Sequence, residues 1–260
     1  MSSTSNKQVN LLILSLNSLW HPCILWGDDL ALSTRFMFWL IRILQSLGYV
    51  PTTIQQALKS GQKKNIVLTY EIHDQSNLIP PPLLALDCPM TLFIRTSSMT
   101  PLDKTSDHPE IHFKEQTSSL ADLHIGIQEK KWEIGLAGHD LLDLTTMNRS
   151  LQMNYLKDSL NIFYDNLGFE PKSFLYPLGA YDASTVSILR QLNFTAGITS
   201  IEGINFLSPL VHENFHLRRI ISDKDNLKMY WKTLKYLSSG VYVQNSSESP
   251  IGDLIKFPTL

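Results

Sequence analysis

The stretch Asn65–Asp74, N-I-V-L-T-Y-E-I-H-D, places ionisable side chains directly after a short apolar run. The run Ile66–Thr69 is apolar and rich in β-branched residues, which is typical of a buried strand. In folds with a parallel sheet, chemistry is usually placed at the carboxyl ends of the strands. Glu71 and His73 could therefore do acid–base work there, with apolar Ile72 between them and Asp74 directly after.

Two further loops, Leu136–Asp143 and Pro177–Tyr181, follow predicted strands in the same way. Aromatic rings at such a rim could stack on the face of a sugar, although Tyr70 and Tyr176 fit a core position equally well. The residues predicted to line a pocket or bind a ligand are Tyr70, His73, Asp74, His139, Asp140, Tyr176, Pro177, Gly179 and Tyr181.

The elements that must position these loops alternate along the chain. Strands are predicted at 9–16, 66–70, 90–95, 131–136, 173–176, 195–199 and 217–221, with a short one at 240–244. Helices are predicted at 34–47, 51–58, 120–130, 148–167, 183–192 and 226–237. About seven repeats of this alternation without a linker predict a single α/β barrel-like domain over residues 1–260. The polar stretch at about 96–117 is predicted to be a surface insertion.

Cap and face assignments follow from the same patterns. Ser33 is the predicted N-cap of the first helix, and Gly48 its terminator. Asn148 or Ser150 is predicted to cap the long helix, which Gly168 ends. The predicted buried set of that helix is Leu151, Tyr155, Leu160, Ile162 and Phe163.

Composition narrows the class of protein. The 260 residues are 43% hydrophobic and 18% charged with a formal net charge of −2, which is typical of a globular protein with a sizeable core. No basic field is available to attract phosphates, so nucleic acid is not an expected partner. Cys23 and Cys88 lie far apart in sequence and predict no disulfide framework.

The N-terminal apolar run could be a strand or a signal peptide. Val9–Leu16 is short, and no small-x-small cleavage site follows it, which favours a first core strand. No apolar run approaches the roughly 20 residues that a membrane span needs. The expectation is a soluble, cytoplasmic protein.

The order and spacing of the three loops resemble those of the polysaccharide deacetylase family (the NodB-homology esterases). The resemblance runs from Val9 to about Ile221 and includes the leader F-x-x-x-L…L-G-Y-x-P-T, which begins here at Phe36 and ends at Thr52. It implies a distorted (β/α)7 barrel. It also implies hydrolysis of N- or O-acetyl groups on sugar polymers by a divalent metal such as zinc, held by one Asp and two His.

The first two family motifs align with their metal ligands replaced. In T-F-D-D-G, the first Asp, a general base, corresponds to Glu71, and the second Asp, a metal ligand, corresponds to Ile72. In E-I-G-S-H-T-x-x-H-x-D-L, the two ligand histidines fall on Ala137 and Leu141. A two-residue slip would instead pair His139 with Asp143 at i, i+4 spacing, but the matching residues on both sides need no gap.

The third motif, R-x-P-Y-G, keeps only its frame. Pro177 and Gly179 match, whereas the Arg that would orient the base carboxylate is Leu175, and the Tyr is Leu178. The L-x-I/V-H segment that carries the family's general-acid His has no counterpart near the C-terminus, and the D-x-x-x-W segment is also missing.

Three hypotheses follow. The first is a catalytically inactive deacetylase-like protein without a metal cofactor, with Glu71 as a degenerate base position. It would act as a binding, accessory or regulatory protein in carbohydrate metabolism, with a carbohydrate or protein partner. The second is an active hydrolase that cleaves a carbon–nitrogen or ester acyl bond on a sugar, with a site rebuilt around Glu71, His73 and His139. The third keeps only the barrel and has no link to carbohydrate.

Overall fold

The computed structural model describes residues 9–16, 28–60, 62–72, 86–99, 123, 126–129, 132–207, 214–221 and 232–237, with the side chains of 28–35 excepted. The strands are β1 (Val9–Ser15), β2 (Val50–Thr52), β3 (Lys64–Ile72), β4 (Thr91–Ile94), β5 (Glu133–Leu136), β6 (Ser173–Leu175), β7 (Ala196–Ile198), β8 (Asn205–Leu207) and β9 (Ile220–Ile221). The helices are α1 (Asp28–Ser46), α2 (Ile54–Lys59), α3 (Arg149–Leu167) and α4 (Ala183–Gln191), with further helical residues at 126–129 and 232–237.

A parallel sheet with the order β7-β6-β5-β4-β3-β1-β8 forms the framework. Only β8 is antiparallel to its neighbour among the described strands, while β2 pairs with β3 and β9 with β1. The sheet is curled, and the segment at 217–221 joins its β7 side to its β1 side. Leu217 bridges to Ile198 at the end of β7, and Ile220 and Ile221 pair with β1.

Alternating side chains of these strands enter two separate hydrophobic clusters. The outer cluster lies between sheet and helices and includes Leu12 and Leu14 of β1 with Leu40 of α1. The inner cluster fills the inside of the curled sheet and includes Leu11 and Ile13 of the same strand. Burial on both faces explains why the strands are short apolar runs rather than alternating ones.

Several sequence predictions are confirmed. The run weighed against a signal peptide is strand β1, in which Leu11–Leu14 are fully buried. Gly48 and Gly168 have φ values of +85° and +75° where α1 and α3 end, a conformation that glycine adopts without strain. Asn148 caps α3 by accepting from the backbone N–H of Leu151, and Asp182 caps α4.

Two local predictions were wrong, and one strand was missed. Helix α1 begins at Asp28, so Ser33 is not its N-cap. Pro51 lies in β2 instead of starting a helix, and Thr53 is the N-cap of α2, in a capping box with Gln56. Strand β8 was not predicted at all, because three residues carry too little periodicity to identify a strand.

The buried face of α3 also differs from the prediction. Leu151 is 55% exposed, whereas the polar Gln152 is buried. The Gln152 side-chain amide donates to the carbonyl oxygens of Leu144 and Met147, and its oxygen accepts from the Thr185 hydroxyl of α4. These hydrogen bonds satisfy a buried polar side chain on a face that hydrophobicity alone did not indicate.

Parts of some predicted elements lie outside the described residues. These are most of the helix at 120–130, the first half of the helix at 226–237, the strand at 240–244, and all of the 96–117 insertion beyond Met99. Thr96–Ser98 forms a 3-10 turn with Thr96 buried. Within the described ranges, none of the helices combines the length and apolar character required to cross a bilayer.

Candidate functional site

Glu71 faces the inside of the curled sheet at the carboxyl end of β3. Its register partner on β4 is Phe93, a member of the inner cluster, whereas the next pair, Ile72 and Ile94, belongs to the outer cluster. Arg95 follows β4 directly and binds Glu71 Oε1 through Nη2 at 2.6 Å and Nε at 3.0 Å. Both side chains are only 12% exposed, so this ion pair is largely shielded from water.

A second arginine, Arg219, lies at the same end of the sheet and is 8% exposed. Its Nη1 and Nη2 are 3.5 Å and 3.4 Å from the hydroxyls of Ser15 and Ser200, both long contacts. Its Nε is buried and has no hydrogen-bond partner among the described residues. Burial lowers the pKa of Arg219, and the negative charge of Glu71 opposes that change.

The charges of this group do not balance. Arg95 and Arg219 carry two positive charges against the single carboxylate of Glu71, so the three side chains have a surplus of one positive charge. A divalent cation placed at this mouth would be repelled by both guanidinium groups. We call Glu71, Arg95 and Arg219 the mouth cluster.

The residues at the three ligand positions do not converge and do not fit a divalent metal. Ile72 is buried in the outer cluster, Ala137 in the inner cluster, and Leu141 is 48% exposed on the surface. Leu175, at the position of the orienting arginine, is also part of the inner cluster. The described residues contain no group of three His, Cys, Asp or Glu side chains that could hold a metal.

The loop that carries His139 and Asp140 is fixed to the protein by hydrogen bonds. His139 Nδ1 lies 2.9 Å from Thr96 Oγ1. The backbone N–H groups of His139 and Asp140 both donate to the Tyr155 hydroxyl at 2.9 Å, and that hydroxyl donates to Asp140 Oδ1 at 2.8 Å. Burial is the main cause that raises the pKa of Tyr155 to about 12.

Asp143 has a local structural role. Its Oδ1 accepts from the backbone N–H of Thr145 at 2.9 Å and caps the 3-10 turn Leu144–Thr146. The slipped alignment would need Asp143 and His139 to bind a common metal. His139 is instead in contact with Thr96 and Asp143 with the backbone of Thr145, so the structure gives that alternative no support.

The third loop is mostly packed. Tyr176 is 1% exposed, donates its hydroxyl to the Phe215 carbonyl at 2.9 Å, and stacks on Tyr181 with ring centroids 4.4 Å apart. Tyr181 in turn contacts His216, with its hydroxyl 3.1 Å from Nδ1. Tyr70 is 4% exposed, and its burial raises its pKa to about 12. Tyr70 and Tyr176 therefore match the core alternative, with no exposed ring face.

The remaining predicted positions separate into two groups. Pro177 is buried, and Gly179 has a φ of +71° with Ser200 directly against it, so both shape the turn. Leu178 between them has a φ of +56° and is 44% exposed. His73 and Asp74 lie outside the described residues.

Sequence reasoning missed both arginines of the mouth cluster. Arg95 could have been found, because it is the polar residue at the carboxyl end of the predicted strand at 90–95, as Glu71 is at the end of the apolar run of β3. Arg219 is a charged residue within the predicted strand at 217–221. That pattern does not indicate at which end of the sheet its side chain lies. The segment that joins β7 to β1 brings it to Glu71.

Solved structures with a similar architecture include several deacetylases. The chain is 17% identical to a Streptococcus pyogenes deacetylase, PplD, in complex with acetate, with a TM-score of 0.59 over 88% of this chain and 99% of that one. It is 17% identical to IcaB from Ammonifex degensii, with a TM-score of 0.60 over 86% and 97%. It is 19% identical to the BpsB deacetylase domain from Bordetella bronchiseptica, with a TM-score of 0.57 over 86% and 98%. These likenesses show the fold, a distorted α/β barrel.

The sequence model of the family described as polysaccharide deacetylase matches residues 59–197, just over half of the chain. The chain belongs to the polysaccharide deacetylase family. The family and the fold class predicted from the sequence, the distorted (β/α)7 barrel, are therefore confirmed. A search of curated proteins found no match.

Proposed function

We propose that this protein is a catalytically inactive member of the polysaccharide deacetylase family that acts as a binding or accessory protein in carbohydrate metabolism. The observation that carries this proposal is the set of side chains at the three ligand positions, Ile72, Ala137 and Leu141, none of which can bind a metal. The mouth cluster adds to it, because Arg95 pairs with the carboxylate at the base position and the buried Arg219 adds a second positive charge.

Metal-dependent hydrolysis needs about three protein ligands and an open coordination position. The bound metal makes water a nucleophile by lowering the pKa of that water to about 7. Apolar side chains at the ligand positions supply no donor atom, and an apolar setting imposes a large desolvation penalty on a dication. Two arginines beside the single carboxylate add a repulsive charge.

Glu71 by itself cannot replace this chemistry. Arg95 donates two N–H groups to Glu71 Oε1, the kind of contact that the family resemblance assigns to the arginine replaced by Leu175. The ion pair therefore orients the carboxylate, and what the site lacks is a set of metal ligands. A carboxylate without a metal is a weak catalyst for amide hydrolysis, and we assign Glu71 to ion pairing rather than to base catalysis.

The carbohydrate part of the proposal rests on family membership and on the pocket residues predicted from the sequence, of which His139, Asp140 and Tyr181 are only partly buried. The single domain over residues 1–260 and the cytoplasmic location remain predictions. A protein partner is the other ligand class that we keep for this role.

Metal analysis and activity assays test the proposal together. Purified protein is incubated with zinc, cobalt or nickel, dialysed, and measured by elemental analysis, and acetate release is then followed on acetylated oligosaccharides. We expect less than stoichiometric metal and no acetate release above that of the Glu71→Gln variant.

Stoichiometric metal together with turnover that Glu71→Gln abolishes would contradict the proposal. That result would establish the second hypothesis, an active hydrolase with a site rebuilt around Glu71, His73 and His139. A glycan array separates the remaining alternatives, because a protein that keeps only the barrel should bind neither acetylated nor deacetylated glycans.

A further inference from the structure

Arg219 is a buried cation whose hydrogen-bonding capacity is largely unused. A guanidinium group offers five N–H donors in a planar fork. Two of the nitrogens of Arg219 make only long contacts with the Ser15 and Ser200 hydroxyls, and Nε makes none within the described part of the chain. The ion pairs of the described residues do not include Arg219.

Burying a charge without a partner is expensive, so an arginine in this state needs a compensating anion. Glu71 attracts Arg219 but forms its direct ion pair with Arg95. Among the residues that the structure describes, one carboxylate lies beside two guanidinium groups and cannot neutralise both. One further negative charge would therefore balance the mouth cluster, and it would lie beside a fork of unsatisfied N–H groups.

The planar arrangement of the guanidinium N–H donors of Arg219 indicates which anion fits. Guanidinium groups bind planar carboxylates through two parallel N–H···O bonds. A carboxylate carries one negative charge, which equals the surplus of the mouth cluster, whereas a phosphate dianion would exceed it. The Ser200 hydroxyl, 3.4 Å from Arg219 Nη2, is a further polar group beside the guanidinium.

We propose that Arg219 binds the carboxylate of an acidic sugar, such as a uronic acid, at the carboxyl end of the barrel, where active relatives would place their metal. The sugar part of this inference rests on the proposed function, whereas the carboxylate part rests on Arg219 alone. The protein would thus have exchanged a cation site for an anion site.

The binding experiment uses the full chain in EDTA at constant ionic strength, so metal-dependent activity cannot influence it. Sodium glucuronate, sodium acetate, inorganic phosphate and neutral glucose are compared by thermal melting and by calorimetry. At a concentration of about one hundred times Kd, we expect glucuronate to raise Tm by roughly 5 °C or more. Glucose should leave Tm unchanged.

Arg219→Met is the diagnostic variant, and Arg218→Met is its control. Arg218 immediately precedes Arg219 in the same segment, and each variant removes one positive charge. We expect Arg219→Met to weaken glucuronate binding at least tenfold while keeping or raising Tm in buffer, because it removes an uncompensated buried charge. Arg218→Met should bind as the wild type does.

A structural arginine would behave in the opposite way. If Arg219→Met lowers Tm in buffer and no carboxylate raises the Tm of the wild type, the inference is wrong. Tighter binding of phosphate than of glucuronate would also overturn the assignment to a carboxylate. Should Arg219→Met fail to fold, Arg219→Lys keeps the charge without the fork, and it should still lose at least tenfold in affinity.

The comparison of glucuronate with acetate distinguishes an acidic sugar from a free carboxylate as the ligand. Tighter binding of glucuronate than of acetate assigns an acidic sugar, and equal binding assigns free carboxylates and overturns the sugar part alone. Because acetate release is measured separately with added metal, failure of the proposed function and failure of this inference give different results.

Discussion

Glu71 is the only carboxylate of the mouth cluster, and both arginines depend on it. Arg95 makes the direct ion pair at 2.6 Å, and the charge of Glu71 favours the protonated form of Arg219. Loss of Arg95 would leave Glu71 with one arginine nearby, whereas loss of Glu71 would leave two buried cations facing each other. The two ends of this ion pair are therefore not equivalent.

We predict that Glu71→Gln lowers the free energy of unfolding more than Arg95→Gln does. Breaking one partner of a buried ion pair typically costs about 3–5 kcal/mol, and 12% exposure places both variants near the lower end of that range. Urea unfolding of both single variants and the double variant measures this order. The Lys172–Glu170 pair, 41% and 59% exposed, is the control and should show a coupling energy below about 1 kcal/mol. Equal costs for the two single variants would show that Arg219 does not share Glu71.

The loop after β5 shows how one element positions another. The Tyr155 hydroxyl of α3 accepts hydrogen bonds from two backbone N–H groups of this loop. Gly138 of the same loop lies directly against Tyr155. A Cβ atom at Gly138 would be 3.1 Å from the Tyr155 hydroxyl oxygen and 3.3 Å from Pro177 Cγ. The loops after β5 and β6 and helix α3 thus meet at a position that only glycine fills without strain.

Gly138→Ala is expected to destabilise the protein by about 1 kcal/mol more than Gly168→Ala. Both glycines have a positive φ, +78° and +75°, so a β-carbon costs roughly 1–2 kcal/mol at either position. Only Gly138 adds a close contact, because a Cβ atom at Gly168 would meet nothing within 4 Å. Chemical denaturation of the two variants gives the difference, and equal losses would mean that the three elements can move apart at little cost.

At the scale of the whole molecule, the two ends of the barrel carry different polar groups. Glu133 lies at the amino end of β5, far from the mouth cluster along the strand direction. It accepts from the backbone N–H of Gln55 in α2 at 2.9 Å and from the hydroxyls of Thr91 and Ser173. The first residue of the E-I-G match therefore joins three strands and a helix, a structural role that explains its presence without catalysis.

The pH dependence of stability should report this end of the barrel. Burial raises the pKa of Glu133 above its ordinary value of 4.5, and hydrogen bonds from Gln55 and Ser173 oppose the change. The folded state therefore favours the protonated form, whose contribution is fully present below pH 4.5 and is lost as the pH rises through the folded-state pKa. We expect Glu133→Gln to gain stability relative to the wild type as the pH rises from about 4 to about 8.

Urea unfolding of wild type and Glu133→Gln across this pH range measures the effect. Glu170→Gln, on an exposed side chain, is the control and should show a nearly constant difference. A Glu133→Gln difference that is also constant with pH would contradict a raised pKa at Glu133.

The sequence by itself determined the alternation of strands and helices, most helix ends, and the apolar residue types at positions 72, 137 and 141. These features are local: glycine at positive φ, Asn or Asp at an N-cap, and an apolar residue at a ligand position each carry their meaning within a few residues. Ile72, Ala137 and Leu141 could therefore be identified as unable to bind a metal before any fold was known.

Only the tertiary structure decided which charged groups meet at the carboxyl end of the barrel. Arg95 and Arg219 are 124 positions apart by number and approach Glu71 because β3 and β4 pair in parallel and the segment after Leu217 joins β7 to β1. The burial of Gln152 in α3 and the strand β8 were decided in the same way, by hydrogen bonds with distant segments, Thr185 of α4 and strand β1. Charge balance at a site is a property of groups that folding brings together, and for that reason no local pattern predicts it.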